Sequence, residues 1–181
     1  IAKLRAFQPP PGAVVTVRQQ EPLGLGHAIW CARAFVGDDP FAILLPDDLV
    51  LAEQPCMAQL AEAHRATGGC VVAVTEVPRE QTNRYGILEV GEDDGRMVAV
   101  RGLVEKPKPE VAPSNLSIIG RYVLTAEVMG HLARQERGAG PRVIDPGAFR
   151  GPEGQQALAA GRLRQGAGPI VDDLLGRGPV D

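Results

Sequence analysis

Asp47 and Asp48 follow directly on Phe41–Leu45, a wholly apolar run that stops at Pro46. Such a run reads as a fully buried parallel strand. In open α/β sheets, ligands bind in the crevice outside the carboxyl ends of such strands. A carboxylate there can hold Mg2+, a hard cation that prefers oxygen and often bridges to substrate phosphates. The other reading is that Asp47 or Asp48 caps the following helix. Of the two, Asp47 is the expected metal ligand and Asp48 is secondary, because the residue just past the strand points into the crevice and its successor turns away.

Three further groups could do chemistry. Gly24-Leu25-Gly26-His27-Ala28 sets two glycines at the start of a helix. Glycine lets a ligand approach the backbone, and free N–H groups there favour an anion or a carbonyl oxygen. The spacing is neither a dinucleotide fingerprint nor a phosphate loop, and His27 alone reads as a structural helix residue. Val104-Glu105-Lys106-Pro107 puts a carboxylate beside an ammonium at a strand end. Glu105 could accept hydrogen bonds from sugar hydroxyls and Lys106 could meet a phosphate as a point charge, or the two could be a solvated surface pair. In Tyr85-Gly86, the glycine either exposes its backbone to a ligand or makes a turn, and the turn is the simpler reading.

The elements that must position these groups follow from the apolar spacing. Ala13–Arg18 is a β-branched run after the breaker cluster Pro9–Gly12, and it reads as a buried strand. Leu25, Ala28, Ile29, Ala32 and Phe35 recur at helical spacing over Gly24–Phe35. Cys56–Thr67 is a second amphipathic helix, ended by Gly68 and Gly69. Cys70–Val77 is a buried strand. Gly86–Val90 and Arg96–Val104 flank a turn-rich stretch and suggest a hairpin. Ser117–Leu124 reads as a strand, and Thr125–Ala133 as a helix with Thr125 as its cap. The alternation argues for an α/β layered sheet.

After Gly140 the texture changes. Residues 1–140 form one expected domain. Residues 141–181 form a Gly/Pro/Arg-rich tail, expected to be loosely ordered, in which only Gln155–Leu163 and Ile170–Leu175 could be short helices.

The 181 residues are 44% hydrophobic and 23% charged, enough for one domain with a sizeable core. A net charge of -3 argues against a general nucleic-acid binder. No apolar run approaches the ~20 residues needed to span a bilayer, and no signal peptide is visible. Cys31, Cys56 and Cys70 lack CxxC spacing and read as buried small apolar residues. A disulfide framework is not expected and a cytoplasmic setting is.

The groups share one chain order: Val17-Arg18-Gln19, Gly24-Leu25-Gly26-His27-Ala28, Leu45-Pro46-Asp47-Asp48, Arg84-Tyr85-Gly86, Val104-Glu105-Lys106-Pro107, Ala112-Pro113-Ser114-Asn115-Leu116 and Ile119-Gly120-Arg121-Tyr122-Val123-Leu124. In that order and rough spacing the chain resembles bacterial UTP–glucose-1-phosphate uridylyltransferases, from about Leu4 to about Gly140. The resemblance implies a Rossmann-like, mixed-sheet nucleotide-binding sandwich of the sugar nucleotidyltransferase type. It implies a reaction of UTP with glucose 1-phosphate to give UDP-glucose and pyrophosphate, without a covalent intermediate. By motif, Gln19 and Gly24 would hold the uracil. Asp47 would ligate Mg2+ and act in catalysis with Lys106, which would contact the sugar phosphate. Gly86 and Glu105 would hold the glucose ring. Neither nucleic acid nor membrane is an implied partner, and a homo-oligomer is compatible with the resemblance.

Three departures shape the remaining expectations. The family's opening glycine-rich loop, which wraps the triphosphate, has no counterpart here. After Gly138-Ala139-Gly140 the sequence no longer follows the family. The second metal aspartate has no match, since Asp145, Asp172 and Asp173 stand in other contexts. The chain is therefore expected to be incomplete, with weak or no activity by itself. The competing expectations are a thymidylyltransferase acting on a sugar 1-phosphate with dTTP, and a catalytically dead sugar-nucleotide-binding module.

Overall fold

The computed structural model describes residues 8–133 and, for the backbone alone, 158–162. The expectations for a helix at Ile170–Leu175 and for Asp145, Asp172 and Asp173 lie outside the described residues. The elements run in the order α1 (Leu25–Cys31), α2 (Arg33–Val36), β1 (Phe41–Leu44), α3 (Cys56–Thr67), β2 (Cys70–Glu76), β3 (Gly86–Asp93), β4 (Met97–Glu105), β5 (Leu116–Leu124), α4 (Glu127–Ala133) and β6 (Leu158–Arg162), with a 3₁₀ turn over Arg79–Arg84 before β3.

The strands form one six-stranded mixed sheet in the order β1-β5-β2-β6-β4-β3, with β3 also touching β5 at Ile87↔Ser117. Among the described residues, only the β2–β6 pairing is parallel. The alternation along β2 sorts the core. Val72 and Val74 face Leu88, Val98, Val100, Leu103 and Leu116. Val71 and Ala73 face Cys56, Leu60 and Ala63 of α3, with Val123. Cys70 packs with Leu124 and with Val128 of α4. A strand buried on both faces needs an unbroken apolar run, and the Cys70–Val74 stretch supplies it, every residue being buried.

The helix over Cys56–Thr67 is found as expected, and Gly68 closes it in the left-handed conformation at φ 68° with its N–H on the His64 carbonyl at 2.7 Å, as such caps do. The hairpin forms as β3 and β4. The first helical run breaks at Ala32, where α1 gives way to α2. The Thr125 hydroxyl meets Cys70 Sγ at 3.6 Å, and the Thr125 N–H donates to the same sulfur at 3.4 Å, so this residue ties α4's start to β2.

Four expectations are corrected. The run Ala13–Arg18 is no strand: Val14 and Val15 are exposed, and no ladder partner lies beside it among the described residues. A β-branched run takes up a ladder only where a neighbour supplies donors and acceptors. Phe41–Leu44 is not a buried parallel strand. It lies antiparallel to β5, with only Phe41 and Ile43 packed inward and Leu44 exposed. Within Gln155–Leu163, residues Leu158–Arg162 form a strand rather than a helix, held by ladder bonds to β2 and β4. Cys31 is half-buried, unlike Cys56 and Cys70, and all three are free thiols. Burial raises the thiol pKa of both Cys56 and Cys70.

Leu60 is 1% exposed and joins α3 to the sheet. Leu60→Ala should lower unfolding stability by about 2–5 kcal/mol through lost transfer energy and a residual cavity. Urea unfolding measures it, and a loss under about 1 kcal/mol would mean that the α3–sheet layer closes over the gap.

Candidate active site

The site begins at an irregularity in β5. Val72 faces Tyr122 and Val74 faces Ile118, so two steps along β2 correspond to four along β5. Extra residues of this kind bend a strand and re-aim its side chains. Here they present Gly120 and Arg121 to the end of β1.

The contacts at that junction are close. Leu45 N–H donates to the Gly120 carbonyl at 2.8 Å. Gly120 N–H donates to Asp48 Oδ2 at 2.6 Å. The buried Arg121 guanidinium donates to the carbonyls of Leu45 at 2.6 Å and Gly120 at 2.8 Å, and to the carbonyl of Asp48. A Cβ on Gly120 would stand 2.6 Å from both Asp48 Oδ2 and Leu45 Cβ, so only glycine fits. Asp48 is thus half-buried and tied to β5. Asp47, at the tip of the Pro46-Asp47 turn, is exposed and makes no hydrogen bond among the described residues. The helix-cap alternative for the two aspartates is not realised, because α3 starts at Cys56 after Pro55 and carries no side-chain cap.

A second cluster lies where β3 and β4 meet. Gly86 pairs with Glu105 in the ladder. A Cβ on Gly86 would lie 3.1 Å from Ile118 Cδ1 and 3.3 Å from Glu105 Oε2. The glycine is therefore a buried strand residue against which the Ile118 and Glu105 side chains pack closely, and not a turn. Lys106 Nζ lies 3.6 Å from Glu105 Oε1, both side chains being more than a third exposed. Lys106 takes φ 50°, the one left-handed non-glycine among the described residues. Its N–H bonds the Tyr85 carbonyl at 2.9 Å. Thr82, fully buried, donates to the Arg79 carbonyl at 2.9 Å and reaches the Pro107 carbonyl at 3.5 Å. The turn after Glu105 is thereby anchored to the 3₁₀ segment.

Tyr122 connects the two clusters. Burial raises its phenol pKa most, followed by the negative charges of Asp48, Asp47 and Glu105. β5, which carries Tyr122, pairs with β1, leading into the Asp47 turn, and with β3, whose Gly86 pairs with Glu105, so both clusters are referenced to one strand.

A third cluster stands at the start of α1. Gln19 Nε2 donates to the Gly24 carbonyl at 3.0 Å and meets His27 Nδ1 at 2.9 Å. Gly24 has φ 93°, which a side chain would strain. The His27 ring stacks beside Trp30, and Arg33 lies over the Trp30 ring at 3.6 Å. His27 is thus tied to Gln19 rather than serving the helix alone.

The expected residues therefore fall into three groups: Gln19 with Gly24, Asp47, and Gly86 with Glu105 and Lys106. Sequence reasoning assigned no role to Gly120, Arg121, Tyr122 or Thr82. The string Ile119–Leu124 stood out in the sequence, but its spacing carries no sign of the irregularity that aims it. Among the described residues, no three His, Cys, Asp or Glu side chains gather into a ready-made metal site. None of the helices among them is long and apolar enough to cross a membrane.

Comparison with known proteins matches residues 9–143 to the family described as Nucleotidyl transferase. A UTP--glucose-1-phosphate uridylyltransferase of Komagataeibacter xylinus is 60% identical over 140 residues, covering 77% of this chain and 49% of that protein. The protein of the same name from Bacillus subtilis is 50% identical over 127 residues, covering 70% and 44%. A solved structure described as UTP-bound UGPase from Acinetobacter baumannii superposes with a TM-score of 0.77 at 34% identity, over 90% of this chain and 57% of that one. The chain spans about half the length of the curated relatives it matches.

Gly120→Ala should cost about 1–3 kcal/mol of stability, the usual range for forcing atoms into a filled space, because Asp48 and Leu45 must both retreat. Denaturant unfolding checks it, and an unchanged midpoint would show that the Leu45–Asp48 segment yields freely.

Proposed function

The chain belongs to the nucleotidyl transferase family, and on that premise we propose that it forms the substrate-binding part of an enzyme that transfers a uridylyl group from UTP to glucose 1-phosphate. The observation that carries the reading is that β5 pairs both with β1, which leads into the Asp47 turn, and with β3, whose Gly86 pairs with Glu105. It is supported by the Komagataeibacter xylinus relative, whose name states that activity, and by the UTP-bound neighbour.

In this reading Gln19 and Gly24 hold the uracil. Gly86 and Glu105 hold the glucose ring, and Glu105 accepts hydrogen bonds from its hydroxyls. Lys106 places its ammonium against the sugar phosphate. A sugar-phosphate oxygen forms a bond to the α-phosphorus of UTP, the bond from that phosphorus to the bridging oxygen breaks, and pyrophosphate leaves with the electron pair. The chain's residues act by orienting the partners and setting charge where charge accumulates.

Asp47 is the residue proposed to hold a divalent cation, with Mg2+ as the ion. The fit rests on an exposed carboxylate with no competing hydrogen bond among the described residues, a hard oxygen donor of the kind that shares Mg2+ with substrate phosphates. When bound, the ion supplies positive charge against the phosphate oxygens. A cytoplasmic setting accords with three free thiols.

Pyrophosphate release from UTP and glucose 1-phosphate by the intact protein tests the whole reading. Asp47→Asn should cut turnover about 10²–10³-fold, as lost transition-state charge stabilisation does, and Asp48→Asn much less. A larger loss at Asp48 would remove Asp47 from its role. Glu105→Gln should weaken glucose 1-phosphate binding by about 1.5–3 kcal/mol, the range for a charge-assisted hydrogen bond, and leave UTP binding nearly intact. Calorimetry reads both affinities, and an unchanged sugar affinity would place Glu105 outside the site.

A further inference from the structure

We infer that His27 is the positioning residue that fixes which face of the Gln19 amide is offered to the base, so that the site reads a pyrimidine by accepting its N3–H and disfavours cytosine. The inference rests on the reading of Gln19 as the base contact and adds what that contact selects.

The argument starts from donor counting. A glutamine amide has two N–H donors on one side and a carbonyl acceptor on the other. The Gly24 carbonyl can only accept, and it takes Nε2 at 3.0 Å. That bond forces the nitrogen, not the oxygen, toward α1. The second N–H meets His27 Nδ1 at 2.9 Å. Both donors are then engaged, and Oε1 receives no hydrogen bond among the described residues. An acceptor is what the half-buried Gln19 has left to present.

The same bonds fix the imidazole. Nδ1 can accept from an amide only with its lone pair free, which sets the ring proton on Nε2. The ring is held from its other side by the chain of neighbours at helical spacing: His27 against Trp30 with centroids 5.8 Å apart, and Trp30 under Arg33. Cys31 Sγ lies 3.9 Å from both ring nitrogens and offers no strong competing donor.

The chemical consequence concerns the base. Uracil and thymine carry a hydrogen on N3 between two carbonyls. Cytosine carries a lone pair at N3. An amide oxygen locked in place accepts the first and repels the second, and a site built to make a hydrogen bond discriminates strongly against a partner that leaves it unmade. Were the amide free to turn, its N–H face could serve cytosine equally well.

Steady-state kinetics on the intact protein test this with UTP, CTP, dTTP and N3-methyl-UTP, a base that cannot donate from N3. The wild type should use CTP and N3-methyl-UTP far less well than UTP. His27→Leu should raise KM for UTP about tenfold with kcat nearly unchanged, the factor that one net hydrogen bond is worth, and lower the UTP-to-CTP preference by a similar factor. His27→Asn, whose Oδ1 can accept from Gln19, should restore both. Equal use of N3-methyl-UTP and UTP by the wild type overturns the inference whether or not the variants fold. So does a His27→Leu protein that loses kcat or stability but keeps the wild-type UTP-to-CTP ratio. Strong use of dTTP in place of UTP, with CTP and N3-methyl-UTP still rejected, would leave this inference standing and remove the uridylyl reading.

Discussion

The hydrogen bond from Gly120 N–H to the Asp48 carboxylate, at 2.6 Å, governs the edge of the sheet that carries the candidate site. It exists only because position 120 has no side chain: a Cβ there would overlap the accepting oxygen. Arg121 reinforces the same junction through the carbonyls of Leu45, Gly120 and Asp48. A buried guanidinium is stable when its donors find acceptors, and here all of the named acceptors are main-chain oxygens. The pairing works in both directions, since the guanidinium supplies donors to the carbonyls that flank the Pro46-Asp47 turn. With Asp48 committed inward, its neighbour Asp47 is left facing solvent.

β5 is the strand on which these constraints converge. It pairs with β1, β2 and β3, so the aspartate turn and the Gly86–Glu105 pair are referenced to one piece of backbone. The additional residues in its register against β2 separate two tasks within nine residues. Leu116, Val123 and Leu124 are buried in the apolar clusters, while Gly120 and Arg121 turn to polar work. Sites built on a rigid strand in this way hold their groups more tightly than sites built on loops alone.

Much of the scaffold was legible in the sequence. Cys70–Val74 is apolar on both alternating faces, and only a strand covered on both sides needs that. Cys56–Thr67 carries its own stop in Gly68. The hairpin was legible from the turn residues between Val90 and Arg96. The chemistry-bearing residues were legible as types at strand ends and helix starts. What escaped was decided by partners distant in sequence. Ala13–Arg18 has the composition of a strand, yet composition does not supply a neighbour. Phe41–Leu44 is apolar throughout, but its sheet position beside β5 buries only alternate residues. Leu158–Arg162 has weak strand character and takes its form from the ladders of β2 and β4. Arg121 and Tyr122 looked like ordinary strand residues, because nothing local signals that residues 45–48 lie against them.

Lys106 carries a consequence of another kind. Its backbone sits at φ 50°, a conformation that costs an ordinary residue about 1–3 kcal/mol and that glycine or asparagine would adopt more readily. The Tyr85 carbonyl holds its N–H, and the buried Thr82 hydroxyl reaches the carbonyl of the following Pro107. The main chain and the ammonium thus ask for different amino acids at one position. A library selected for thermostability alone would drift toward glycine or asparagine at 106, shedding the charge as it relaxed the chain. A library selected for turnover would, on the proposed role of the ammonium at the sugar phosphate, keep the lysine and leave the strain in place. This single position should separate the two kinds of selection.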